Sequence, residues 1–280
     1  MAITGVQVKR IRPKRIRKPP KTDPTKAGRL ILQYEAVLKR HVSTYNALVK
    51  RSVLIASGER LLESPISHYQ ENLLISSVTQ IGNIVAEGAK ADIDEHAVLS
   101  YQHGREFAKK TIVFPTGQTL TTGISFDLPV AQATMNRLAM QQNAAFKGVT
   151  DEMSKRTIAE LTEGIQRGES IPQLTARIED IYQNVGVGRA EAIARTETMK
   201  AVNQGALDEY KKDGFVKVQW LAAMDERTCT RHIPGPWVQY AGCGDLNYKK
   251  FNINEVPPLP FHVNCRCTTV PILEGMEGMT

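Results

Sequence analysis

The chain has 280 residues, 41% of them hydrophobic and 23% charged, the composition of ordinary globular material large enough for one big domain or two modest ones. No apolar run approaches the roughly 20 residues that a membrane-spanning helix requires, so a soluble protein is expected. The formal charge of +7 is local: residues 1–26 carry nine Lys/Arg against one acid, Asp23, a net of +8 that leaves −1 for the rest.

Within that N-terminal stretch Lys9, Arg10, Arg12, Lys14, Arg15, Arg17 and Lys18 are interleaved with Pro13, Pro19, Pro20 and Pro24. Proline stops helix and central strand alike, and like charges repel, so residues 1–27 are expected to form an extended arm. Such an arm suits nucleic-acid phosphates or an acidic protein surface, bound through counterion release and weakened by salt. A solvated tail is the plain alternative.

From 30 to about 57, Leu30, Ile31, Tyr34, Val37, Leu38, Val42, Tyr45, Leu48, Val49, Val53 and Leu54 recur at three- and four-residue steps, the stripe of an amphipathic helix. A second helix is expected through Tyr69, Leu73, Leu74, Val78, Ile81 and Val85, and a third from about 93 to 109. His96 and His103 stand alone there and are given no role. Residues 111–129 are rich in Thr, Gly and Pro and read as a small hairpin or a long connection. Helical periodicity resumes at 130 and runs to about 166, with a break expected near Gly148. Ser170 is placed as an N-cap with Pro172 in the first turn. Residues 184–188 read as a turn, 189–212 as one long helix stopped by Gly214, and 215–220 as the first clear strand. The fold class expected is α+β: a mainly α-helical N-terminal region with a smaller α+β C-terminal module.

Two short runs in the last third, Asp225-Glu226-Arg227-Thr228-Cys229-Thr230-Arg231-His232 and Pro260-Phe261-His262-Val263-Asn264-Cys265-Arg266-Cys267, each offer a Cys and a His three residues apart. Such spacing lets two side chains on a tight turn converge on one tetrahedral cation, and a Cys2His2 donor set suits zinc. The expected ligands are Cys229, His232, His262 and Cys265, with Cys267 as a substitute for either member of the second pair. Four protein ligands leave no position for a substrate water, so the ion would be a staple. Disulfides or plain buried thiols are the alternatives; with no hydrophobic signal stretch at the start, a reducing cytoplasm is expected and disulfides are disfavoured. Cys243, flanked by glycines, is a distant candidate ligand.

Around the ligands, Asp225 is placed to orient His232 or His262 through a ring N–H. Arg227 precedes the first ligand, and Arg266, pinned between two cysteines, is within reach of Glu197 or Asp225. Arg195 and Glu197 on the long helix admit a catalytic reading in a nucleotide-handling cleft; the structural alternative has Arg195 tie that helix to the ligand loops and Glu197 pair with nearby groups. Trp220 and Trp237 are expected to pack the module. No phosphate-binding glycine loop, serine elbow or His-Glu-x-x-His motif occurs, so no catalytic residue is assigned.

Taken in order, Arg189-Ala190, Ala194-Arg195-Thr196-Glu197, Ala201, Asn203, Gly205, Tyr210, Gly214, Trp220, Asp225-x-Arg227-Thr228-Cys229-x-x-His232, Gly235 and Pro260-x-His262-x-Asn264-Cys265-Arg266-Cys267 resemble the head-morphogenesis domain of phage minor head proteins, typified by the Mu F protein and by minor head proteins that bind the portal. The resemblance covers about 150–272, which divides the chain into a basic arm (1–27), a helical region (28–150) and the head-morphogenesis domain (151–280). Many members have a second cysteine where this chain has His232. The resemblance implies a minor capsid protein inside the virion head near the portal, and in the host cytoplasm during assembly. It implies contact with the portal protein, with scaffold or major capsid protein, and with packaged DNA through the arm, and no membrane partner. The rival from another class is a DNA- or nucleotide-acting enzyme, a nuclease or an ADP-ribosyltransferase, packaged in the virion.

Overall fold

The structure is a computed structural model and describes residues 25–56, 68–111, 128–225, 228, 229 and 239–272. The cations at 9–18, the connection at 112–127, Arg227, His232 and Trp237 lie outside the described residues. The elements run α1 (Gly28–Ala56), α2 (His68–Thr111), α3 (Leu128–Gln166), α4 (Ile171–Ile181), a π-helical turn (Tyr182–Val187), α5 (Gly188–Lys212), β1 (Lys217–Leu221), α6 (Cys243–Leu246), β2 (Lys250–Asn252) and β3 (Thr268–Pro271). The class is α+β: a bundle of long helices carrying a small antiparallel sheet. Among the described residues no helix is long and apolar enough to cross a membrane.

α1 forms where its stripe predicts, burying Ile31, Tyr34, Leu38, Val42, Tyr45, Val49 and Val53 at helical spacing. α2 corrects the expectation of two helices. Val85, Ala89, Ile93 and Ala97 are all buried, so the apolar stripe runs on without a change of phase, and Gly88 lies on the solvent side, where its cost is only propensity. The same applies to α3, which passes Gly148 unbroken with open space around that residue; residue 150 falls inside this helix. α2 and α3 are antiparallel: Asn143 donates to Asp94 (2.6 Å) and Ser154 Oγ to the Val78 carbonyl (3.5 Å).

The turn expected at 184–188 is instead a widened helical turn that carries α4 straight into α5. Gly186 explains why: a Cβ there would run into Val42 Cγ1 and lie 3.1 Å from Met153 Sδ, so glycine lets α1 and α3 close over the wide turn rather than letting the chain leave it. α4 begins as expected, with Ser170 donating its backbone N–H and its hydroxyl to Gln173 Oε1, both at 2.8 Å. α5 ends at Gly214 (φ +84°), where the Phe215 N–H reaches back to the Tyr210 carbonyl at 3.0 Å.

α5 joins the bundle to the C-terminal module. A Cβ on Gly104 of α2 would overlap the Val202 backbone, and one on Gly205 of α5 the Tyr101 carbonyl, so these two glycines set a backbone-to-backbone crossing of α2 and α5. Beyond it, Ala108, Ala206, Tyr210, Val218 and Ile253 form one apolar cluster between helices and sheet. The sheet has the order β2-β1-β3, antiparallel throughout, with Val218 opposite Phe251 and Trp220 opposite Thr269.

Candidate metal centre

The second sequence run folds as a turn. The Cys265 N–H bonds the His262 carbonyl at 3.1 Å, and Asn264 takes the left-handed conformation (φ 64°) that Asn tolerates better than most side chains. Its backbone N–H is held by Thr196 Oγ1 of α5 at 3.1 Å. The first run turns at Asp225–Thr228, where the Thr228 N–H bonds the Asp225 carbonyl at 2.9 Å and Thr228 Oγ1 accepts the Asp225 N–H at 2.7 Å. Gly244 packs beside this turn: a Cβ on it would sit in ordinary contact, 3.6 Å from Thr228 Cγ2. α6 is thereby laid beside Cys229, and Cys243 at its first position enters the gap between the two runs.

Cys243 is the residue around which the cluster gathers. Its Sγ lies 3.2 Å from His262 Nε2 and 3.9 Å from Cys265 Sγ. Cys229, Cys243 and His262 hold their ligand atoms within 4.8 Å of one another, and so do Cys243, Cys265 and Cys267. The four described cysteines are all free thiols. Cys243, Cys265 and Cys267 are buried beside Trp220, Leu246 and Phe261, while Cys229 and His262 are half-buried and line a small cleft with Ala223, Thr228, Asn264 and Arg266. Trp220 packs the module as expected.

The donor chemistry fits a soft divalent ion. His262 Nδ1 lies 2.8 Å from the Val263 carbonyl, which can only accept; Nδ1 therefore carries a proton and Nε2 is the atom left facing the sulfurs. A tetrahedron with zinc–sulfur bonds of about 2.3 Å has edges of about 3.8 Å, close to the 3.9 Å between Cys243 and Cys265. The electrostatics ask for positive charge. Hydrogen bonds from Cys243 and then Cys267 hold the Cys265 thiol far below its ordinary value, while sharing that proton with Cys265 pushes Cys243 far up. The hydrogen bond to the Cys265 thiolate raises His262 to about 9. A metal ion would take the place of these shared protons.

The residues expected around the ligands divide. Arg266 grips Asp225 with both terminal nitrogens, at 2.5 and 2.6 Å, one of the two partners expected for it. That pairing occupies the Asp225 carboxylate, while His262 is oriented by the Val263 carbonyl. Glu197 is 7% exposed and paired with Lys200 at 3.1 Å; Arg195 sits half-buried on α5. Cys243 is poorly marked in the sequence: it stands 14 residues from Cys229 and 19 from His262, with no Cys or His at metal spacing beside it. Only the pairing of β1 with β2, which folds α6 back over Trp220, brings it in.

Residues 156–270 match the sequence family described as Phage Mu protein F like protein. No curated protein matches the chain, and no solved structure does.

Proposed function

We propose, from the match of residues 156–270 to the phage Mu protein F like family, that this chain is a minor head protein of head morphogenesis acting at the portal vertex, with its C-terminal module stapled by one zinc ion. The observation that carries this reading is that the family-matched residues build a scaffold. Thr196, Asn203 and Tyr210 lie at seven-residue spacing along α5 and hold Asn264, Cys267 and Thr269 in turn, at 3.1, 3.1 and 3.3 Å. Gly205 seats the same helix against α2.

The staple we propose is Cys229, Cys243, His262 and Cys265, a closed set of one imidazole and three thiolates, with Cys267 as a fourth sulfur beside it. It fixes the turns that α5 holds, and leaves no position for a substrate water. Arg195 and Glu197 act in this reading as packing groups of the bundle. The basic arm, Lys9 to Lys18, reaches out to packaged DNA or to the portal, and scaffold or major capsid protein completes the surroundings.

Crosslinking of assembled phage heads followed by mass spectrometry tests the placement. Crosslinks from the helical body to the portal protein support it, and crosslinks confined to tail components refute it. For the arm, deleting residues 1–24 should abolish a steeply salt-dependent affinity for duplex DNA. Turnover of DNA or NAD by the pure protein, lost in Glu197→Ala, would instead favour an enzyme.

A further inference from the structure

The outward side of the small sheet carries no acid. β1 turns Val218 and Trp220 inward, both fully buried, and so points Lys217, Gln219 and Leu221 the other way. In the antiparallel register Lys217 stands opposite Asn252 and Gln219 opposite Lys250, which sets Lys250 and Asn252 on that same side. Lys217 and Lys250 are then diagonal neighbours, with backbones roughly 7–8 Å apart. Both are exposed, as is Lys249, and none of the three pairs with a carboxylate among the described residues. Lys200 and Lys212 on α5, by contrast, are each held by a glutamate. Like charges this close on one face cost stability until an anion neutralises them.

Beside these lysines stands a tyrosine in a conformation that tyrosine does not favour. Tyr248 follows Asn247, the C-cap of α6, and has φ +64°, a place where glycine is the usual residue. It is 66% exposed, so no packing of its ring compensates for the backbone. The sheet holds it there. The Tyr248 N–H bonds the Trp220 carbonyl and the Trp220 N–H bonds the Lys249 carbonyl, both at 2.8 Å, while the Tyr248 carbonyl accepts the Gln219 side-chain amide at 3.0 Å. An aromatic ring kept in solvent against its backbone preference, next to uncompensated cations and amide side chains, is the combination that takes a base by stacking and its phosphates by charge. An acidic peptide would use the lysines and leave the ring idle. A duplex would keep its bases stacked on one another.

We propose that this face of the sheet binds single-stranded nucleic acid, with Lys217 and Lys250 on phosphates and the Tyr248 ring stacked on a base. The contact is separate from the one proposed above for the basic arm. Affinities of the full-length protein for a fluorescent oligothymidylate and for a duplex of equal length, measured across a salt series, tell the two apart. Lys217→Gln combined with Lys250→Gln should reduce the log–log salt slope for the single strand by about 1.4 and leave the duplex slope, which the arm sets, as it was. Tyr248→Gly should weaken single-strand binding roughly five- to hundredfold while raising the thermal unfolding midpoint by about 2–4 °C. Tyr248→Phe keeps the ring and should bind as the unmodified chain does. A single-strand slope untouched by the lysine changes, a Tyr248→Gly variant that binds as tightly as before, or polyglutamate that competes as well as the oligonucleotide would overturn the proposal. So would equal losses on single strand and duplex.

Discussion

Asn203 on α5 donates its side-chain amide N–H to the Cys267 carbonyl at 3.1 Å and accepts the Thr268 hydroxyl at 2.7 Å. All three residues are buried, so one amide fixes the chain where the cysteine turn passes into β3. Removing it leaves a carbonyl and a hydroxyl unpaired in the core, each costing about 1–3 kcal/mol. Asn203→Ala should therefore destabilise the protein by roughly 2–5 kcal/mol in denaturant melts. Hydrogen exchange should speed up first in 265–271.

The Asp225–Arg266 pair ties the two halves of the candidate metal centre together. Its fork geometry is the part that lysine cannot reproduce. Arg266 is 10% and Asp225 23% exposed at the side chain, so solvent screens the pair only in part. Arg266→Lys is expected to cost about 1–2 kcal/mol. Combining it with Asp225→Asn should add little, which a double-mutant cycle would read directly.

His96 predicts a pH dependence with a definite sign. Burial pushes this imidazole down to about 3 from 6.5. The groups facing it are Tyr34 from α1, Ser100 on its own helix and Thr198 from α5, and the carboxylates of Glu197 and Asp94 act on the Tyr34 hydroxyl. The unfolded chain takes up a proton below about 6.5 that the native state refuses, so the stability His96 contributes is whole above that pH. It is lost as the pH falls from 6.5 toward 3, by up to about 1.4 kcal/mol per pH unit. Unfolding free energies measured from pH 7 to pH 4 should show this slope, and His96→Gln should flatten it.

Two glycines in long helices should respond in opposite directions. Gly205→Ala puts a methyl group into the Tyr101 carbonyl and must push α5 off α2, so a loss of more than about 2 kcal/mol is expected. Gly148→Ala meets open space on an exposed helix face and should gain about 0.5–1 kcal/mol. Paired thermal melts of the two variants check the sign of each.

How much of this was legible in the sequence depended on the range of the signal. The α1 stripe, the Ser170 cap, the Gly214 stop and the β1 alternation are local patterns, and each forms where it was expected. The Arg266–Asp225 contact was one of two named possibilities, since a long cation between two cysteines can reach either acid. Non-local information was missing elsewhere. Glycine at 148 reads as a break until the neighbouring helices show that the solvent face tolerates it. Glycine at 186 reads as a turn until Val42 and Met153 show what it makes room for. Cys243 has no partner at ligand spacing, so only the β1–β2 pairing could place it among the other sulfurs.

The central claim is that Cys243 gathers the other donors around one ion. Elemental analysis of the purified full-length protein measures it directly. The account predicts one zinc per chain, carried through gel filtration and lost or halved in Cys243→Ser, together with protection of the 225–270 region from proteolysis. Protein that is free of metal yet equally protected, or a Cys243→Ser variant that keeps its full zinc, would contradict it.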